Sequence, residues 1–178
     1  LSRLEVLRLG LPVREDVDPD LVEILVALLD GRRQRVRVIG LVHRARELAL
    51  QGIYQWRMSG GDHLEIEKAT RAEKSLGRFD IELFSQLLRG VVEYNQVLVA
   101  ALAPHLDRDM GELSPIEFSV LLLGAFELTR HPEVPYRVVI NEAVELAKTF
   151  GGTDGHKFVN GVLDKLAAQV RAVEVAAK

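Results

Sequence analysis

The chain has 178 residues, 48% of them hydrophobic, 28% charged and only 6% aromatic, with a formal net charge of −3 and no cysteine. That is enough apolar material for one domain, or one domain with an appendage, and it excludes disulfides and thiolate chemistry. The longest apolar run, Leu21–Leu29, contains Glu23 and is about half the length of a membrane-spanning helix, so no membrane partner is expected and a cytoplasmic protein is.

In chain order, residues 1–30 hold an amphipathic fragment, Leu1–Leu11, and a short helix over Leu21–Leu29. Asp18-Pro19-Asp20 opens that helix and Asp30-Gly31 stops it. Arg32–Ile39 alternates arginine with valine and reads as extended. Between Gly31 and Arg46 stand six arginines (Arg32, Arg33, Arg35, Arg37, Arg44, Arg46) and His43, with no acid among them. An acidic protein with one dense arginine block points either to a polyanion site or to a solvated helix face.

From Leu41 the pattern is helical. Ala45, Leu48, Ala49, Gly52, Ile53 and Trp56 recur at three- and four-residue steps and define a buried face. Arg44, Arg46, Glu47, Gln51 and Arg57 are expected off it. Ser59-Gly60-Gly61-Asp62 ends this helix. A weaker helix is expected over about Leu64–Ser75 and a long one over about Asp80–Ala103, with Ile81, Phe84, Leu87, Leu88, Val91, Val92 and Val99 as candidate core.

Ser114-Pro115-Ile116-Glu117 is a helix start with a capping box: Ser114 caps, Pro115 suits the first turn, and Glu117 follows three residues on. The helix it opens is apolar almost all round to about Thr129, as suits a central helix. Pro135 starts the next helix, Gly151-Gly152 ends it, and the last helix runs from about Asp154 to Val170. The expected fold is all-α, a bundle of about six or seven helices over residues 41–171. Residues 1–40 form an N-terminal extension, and 172–178 a tail that frays.

Several chemistries find no support. The five histidines show no pair at metal-ligand spacing, so no metal is expected. Gly151–Lys157 is not a phosphate loop, because His156 stands where that motif needs glycine and a helix precedes it. No dinucleotide fingerprint or nucleophile elbow appears, so neither a cofactor nor catalysis is expected.

Two constellations remain. In His43–Trp56, Arg44, Gln51 and Tyr54 fall near one helix face. An arginine fork for phosphate, an amide for a base edge and a phenol ring for stacking suit single-stranded RNA. Trp56 reads as core, and Tyr54 equally as core or as a stacking surface. The second constellation is the Asp154–Phe158 turn. Lys157 near a helix start suits an anion, while Asp154 taken alone reads as the helix cap. Asn141 and Asn160 read as structural, bonded to nearby backbone or to each other.

Arg44–Trp56 resembles the first helix of the NusB family of transcription antitermination factors, in which an arginine cluster precedes R-E-x-A-x-Q-x-x-Y. Leu113–Leu166 resembles that family's C-terminal half, in Pro135-Tyr136, Ile140-Asn141-Glu142-Ala143 and His156-Lys157-Phe158-Val159-Asn160-Gly161. The resemblance implies a NusB-like, non-enzymatic protein that joins ribosomal protein S10. The pair would bind boxA RNA of ribosomal RNA operon transcripts and act with other antitermination factors to carry RNA polymerase through terminators. It also implies an RNA face of His43, Arg44, Arg46, Gln51, Tyr54, Asp154 and Lys157, and an S10 face containing Glu117.

Two features depart from the family pattern: about forty residues precede the match, and Val42 and His43 stand where arginine is usual. Arg32-Arg33-Gln34-Arg35 would supply the missing charge, unless the extension has no folded role. Alternative readings are a helical domain related to that of RNA cytosine methyltransferases, or a protein-interaction scaffold. The first is disfavoured by the lack of cysteine. Both monomer and homodimer stay open.

Overall fold

A computed structural model describes residues 19–177, with eight α-helices and no strand among them. The chain divides between Gly40 and Leu41 into two compact units. The fragment Leu1–Leu11 lies outside the described residues, as do the side chains of Leu21–Leu29, Arg32 and Arg33.

The first helix, α1, is Pro19–Ser59. Its start agrees with Asp18-Pro19-Asp20, but neither the stop at Asp30-Gly31 nor the extended reading of Arg32–Ile39 holds. The physical reason is hydrogen-bond supply. An extended segment is stabilised by pairing with a second strand, whereas a helix makes its hydrogen bonds within itself, and arginine favours helix. Arg35, Arg37, Val38 and Ile39 are exposed.

From Leu41 onward the elements are α2 (His63–Ala72), α3 (Ile81–Glu93), α4 (Asn95–Leu102), α5 (Pro115–Arg130), α6 (Tyr136–Phe150), α7 (Gly155–Val170) and α8 (Ala172–Ala176). Positive-φ Gly60 follows α1 in the left-handed region that favours glycine. Asp62 and Asp80 cap α2 and α3 by accepting from Leu64 N–H and Leu83 N–H. Ser114 accepts from Glu117 N–H, as the capping box requires.

The long helix expected over Asp80–Ala103 is two helices, interrupted at Tyr94. That ring stacks on Phe126 at 6.2 Å, and the Arg130 guanidinium lies over it at 4.0 Å. Packing from α5 therefore fixes the break, with no proline needed. Ile81, expected in the core, is exposed.

Helix α5 is central. Phe118 to Leu128 are all buried, including Ser119 and Glu127. Gly90 of α3 lets the Phe126 ring approach so closely that a Cβ there would overlap it. The expected face of α1 is buried as read: Ala45, Leu48, Ala49 and Ile53 join the core, Gly52 faces Leu88 and Ile66, and Trp56 packs at its edge. Glu67 of α2, also buried, takes Arg89 of α3 at 2.6 and 3.0 Å and Arg71 at 3.3 Å, tying α2 to α3.

The tail is helical over Ala172–Ala176. Arg171 is a cap for α5, its guanidinium donating to the carbonyls of Leu128 at 2.7 Å and His131 at 2.8 Å. It also pairs with Glu174, whose carboxylate accepts from Tyr136 N–H at 2.9 Å at the open start of α6. One turn of chain thus satisfies the end of one helix and the beginning of the next.

Candidate nucleic-acid interface

The basic turn of α1 is held by three glutamates. His43 Nδ1 stands 2.8 Å from Glu142 Oε2 on α6. Arg44 donates from Nη1 to Glu47 Oε2 at 2.6 Å while keeping about a third of its side-chain surface in solvent (35%). Arg46 is different. It is 4% exposed, and its Nε and Nη2 donate to both carboxylate oxygens of Glu127 at 2.8–3.1 Å. A further approach, Nη1 to Glu142 Oε2, measures 3.6 Å. Burial works against the Arg46 charge, and the Glu127 bond, backed by the charges of Glu127 and Glu142, outweighs it and holds the guanidinium above its ordinary pKa.

The expectation that Arg46 lies off the apolar face is therefore corrected. Its fork is spent on a carboxylate inside the bundle, and the residue positions α1 on α5. One signal was legible: Glu127 is the only acid in the apolar run from Phe118 to Leu128 and needs a buried cation. Glu142, within the Ile140–Ala143 motif, was missed as the residue shared by His43 and Arg46.

Arg44, Gln51 and Tyr54 occupy roughly a quarter of the α1 circumference. Gln51 and Tyr54 are exposed, Tyr54 at 36%, with no side-chain hydrogen bond to any described residue that would hold them back from a ligand. Gln51, Gln55, Thr70 and Glu73 border a shallow groove of about 290 Å³ between α1 and α2.

At the start of α7, Asp154 makes no side-chain cap; its backbone carbonyl accepts from Lys157 N–H, and its carboxylate pairs with Lys157 Nζ at 2.9 Å. The two side chains are 74% and 72% exposed. The cap reading of the Asp154 carboxylate is corrected on that geometry. Helix α6 links the two constellations. The Glu145 carboxyl is held below its ordinary range chiefly by Lys148, with smaller contributions from the charges of His43 on α1 and His156 on α7.

Glu117 folds over the first turn of α7, where Gly155 leaves it room, and contributes to holding Arg108 above its ordinary pKa, after the larger effect of Asp107. Arg108 in turn covers the Phe158 ring at 4.5 Å. Asn160 donates to Asp164 at 3.0 Å, and Asn141 is exposed, so the two asparagines do not bond each other. Among the described residues, no group of three His, Asp or Glu side chains could hold a metal ion, and no helix is long and apolar enough to cross a membrane.

The comparisons with known proteins agree on one family. A protein-family model described as "NusB family" matches residues 43–168. The chain is 56% identical over 131 residues to the transcription antitermination protein NusB of Nitrosomonas eutropha, covering 74% of this chain and 78% of that one. It is 59% identical over 133 residues to the protein of the same name from Nitrosospira multiformis, covering 75% and 84%. Among solved structures, "Crystal Structure of Antitermination Factors NusB and NusE in complex with dsRNA" superposes with a TM-score of 0.65 at 26% identity, covering 71% of this chain and 96% of that one.

Proposed function

Since the chain belongs to the NusB family of transcription antitermination factors, we propose that it binds boxA RNA of ribosomal RNA operon transcripts together with ribosomal protein S10, and so promotes read-through by RNA polymerase. Its part in that process is binding, with no reaction to catalyse. The observation that carries the proposal is the stripe of Arg44, Gln51 and Tyr54 on α1, in which Gln51 and Tyr54 are exposed and make no side-chain hydrogen bond to a described residue; the exposed Lys157 at the start of α7 supports it.

Each member has a task that its chemistry suits. Arg44 exchanges its single bond to the half-buried Glu47 for a phosphate, and Lys157 releases the exposed Asp154 to do the same; the second bond faces water and is the cheaper to trade. Tyr54 offers a ring face to an unstacked base, and Gln51 reads a base edge. His43 lies at the margin, held by Glu142. Arg46 contributes by fixing the helix that carries the others. Glu117 belongs to the S10 face, at the first turn of α5. Contact with other antitermination factors and with RNA polymerase then passes through the assembled complex, and a homodimer would compete for the arginine face.

Binding of a boxA RNA against a scrambled RNA, each single- and double-stranded, with and without S10 at two salt concentrations, tests the reading. Specific binding strengthened by S10, with a log-linear fall in affinity with salt, is the expected result. Equal weak binding to every RNA, unimproved by S10, would remove it.

A further inference from the structure

Arg57 stands on α1 about 140° around the helix from Arg44 and about 60° from Tyr54, one turn beyond the end of the proposed RNA stripe. Its guanidinium lies over the Phe118 ring at 3.9 Å. Unlike Arg44, Arg46, Arg71, Arg89, Arg108 and Arg171, it forms no ion pair with a described residue. Its Nη1 is shut off from solvent and has no acceptor. Arginine does not discharge in proteins, so the charge stays although burial disfavours it and holds the pKa below its ordinary value. The residue lines a cleft of about 430 Å³, together with Trp56, Gly60, Asn95, Val99 and Phe118.

We propose that this cleft receives the carboxylate of a glutamate or aspartate side chain presented by a protein partner, S10 in the assembly proposed above. The inference rests on that assembly. The lining decides the class of ligand: Arg57 is its one cation and Asn95 its one amide side chain, beside Trp56, Val99 and Phe118. An RNA strand needs a succession of cations along its phosphates, and no second Lys or Arg lines the cleft. A guanidinium steadied by an aromatic face, with its Nη1 turned inward, offers its remaining N–H groups to one carboxylate, with apolar contacts excluding water around it, as at the centre of a protein interface. Phe118 directly follows Glu117 on α5, so the cleft opens at the helix turn already assigned to S10.

The test compares S10 binding by calorimetry for the unaltered chain, Arg57→Met, Arg57→Lys and Glu117→Arg, with thermal melting of each free chain and RNA binding without S10. Arg57→Met is expected to weaken S10 binding about ten- to hundred-fold. It should also raise the melting temperature of the free chain, because an uncompensated charge is replaced by an apolar side chain on Phe118. Arg57→Lys, which keeps the charge but loses the fork, should fall between.

Unchanged S10 affinity in Arg57→Met, with Glu117→Arg impaired, would overturn the cleft assignment and leave the assembly standing. Lost affinity with a lowered melting temperature would overturn it too, assigning Arg57 to the fold. Weakened RNA binding without S10 would overturn it in favour of phosphate. Failure of the unaltered chain to bind S10 would remove the assembly and the cleft's occupant with it.

Discussion

The two basic turns, His43–Arg46 on α1 and Asp154–Lys157 on α7, both place cations beside carboxylates, yet the environments are opposite. Arg46 meets Glu127 where both side chains keep at most 4% of their surface, whereas Lys157 meets Asp154 with more than 70% exposed on each. In the first case the charges cannot separate without stranding one of them out of water. In the second, water or a ligand replaces the partner at little cost. A dense arginine block therefore says little about binding until each fork's acceptor is known. Arg44 and Arg46, two residues apart, serve different ends.

The sharpest way to break this comparison is Arg46→Ala. It leaves the Glu127 carboxylate buried and unpaired and should cost about 3–5 kcal/mol in urea denaturation, while the double change Arg46→Met with Glu127→Leu should recover most of the loss. A single variant as stable as the parent would show that the pair contributes nothing. Any RNA-binding defect in Arg46→Ala must accordingly be read against its folded fraction.

Glu67 is an intermediate case, a buried carboxylate whose arginine partners face solvent. Its pKa is depressed, first by the Arg89 hydrogen bond. The stability it contributes is thus present above the unfolded value of about 4.3 and lost as pH falls through the lower folded value. Glu67→Gln should flatten the acid limb of a stability-versus-pH curve. An unchanged limb would locate acid sensitivity elsewhere.

Arg44→Ala tests the exposed half of the first turn. Stability should change by no more than about 1 kcal/mol, while RNA affinity drops and the salt dependence loses about one phosphate's worth of slope. Lys157→Ala should have the smallest effect on folding, within about 0.5 kcal/mol, with a loss of RNA affinity in the same direction. If titrations find RNA affinity insensitive to both, the stripe on α1 is not the RNA face.

The sequence made most of the bundle legible because its signals were local. The Ser114–Glu117 box, the glycines at 151–152 and the three–four spacing from Ala45 to Trp56 all specify helix ends or faces within a few residues. What it hid was settled by distant contacts. The break at Tyr94 depends on Phe126 and Arg130, the inward turn of Arg46 depends on Glu127, and the docked tail depends on carbonyls more than thirty residues earlier. Among the site residues, spacing identified the exposed stripe of Arg44, Gln51 and Tyr54. It could not separate a free fork from an occupied one, since residues 44 and 46 carry the same side chain.

The Arg171–Glu174 turn sets an order of events during synthesis. The end of α5 and the start of α6 receive their closing hydrogen bonds from residues made some forty positions later. Those hydrogen bonds form only once residues 171–174 have been made, so a chain that stops before Arg171 leaves the end of α5 and the start of α6 without these partners.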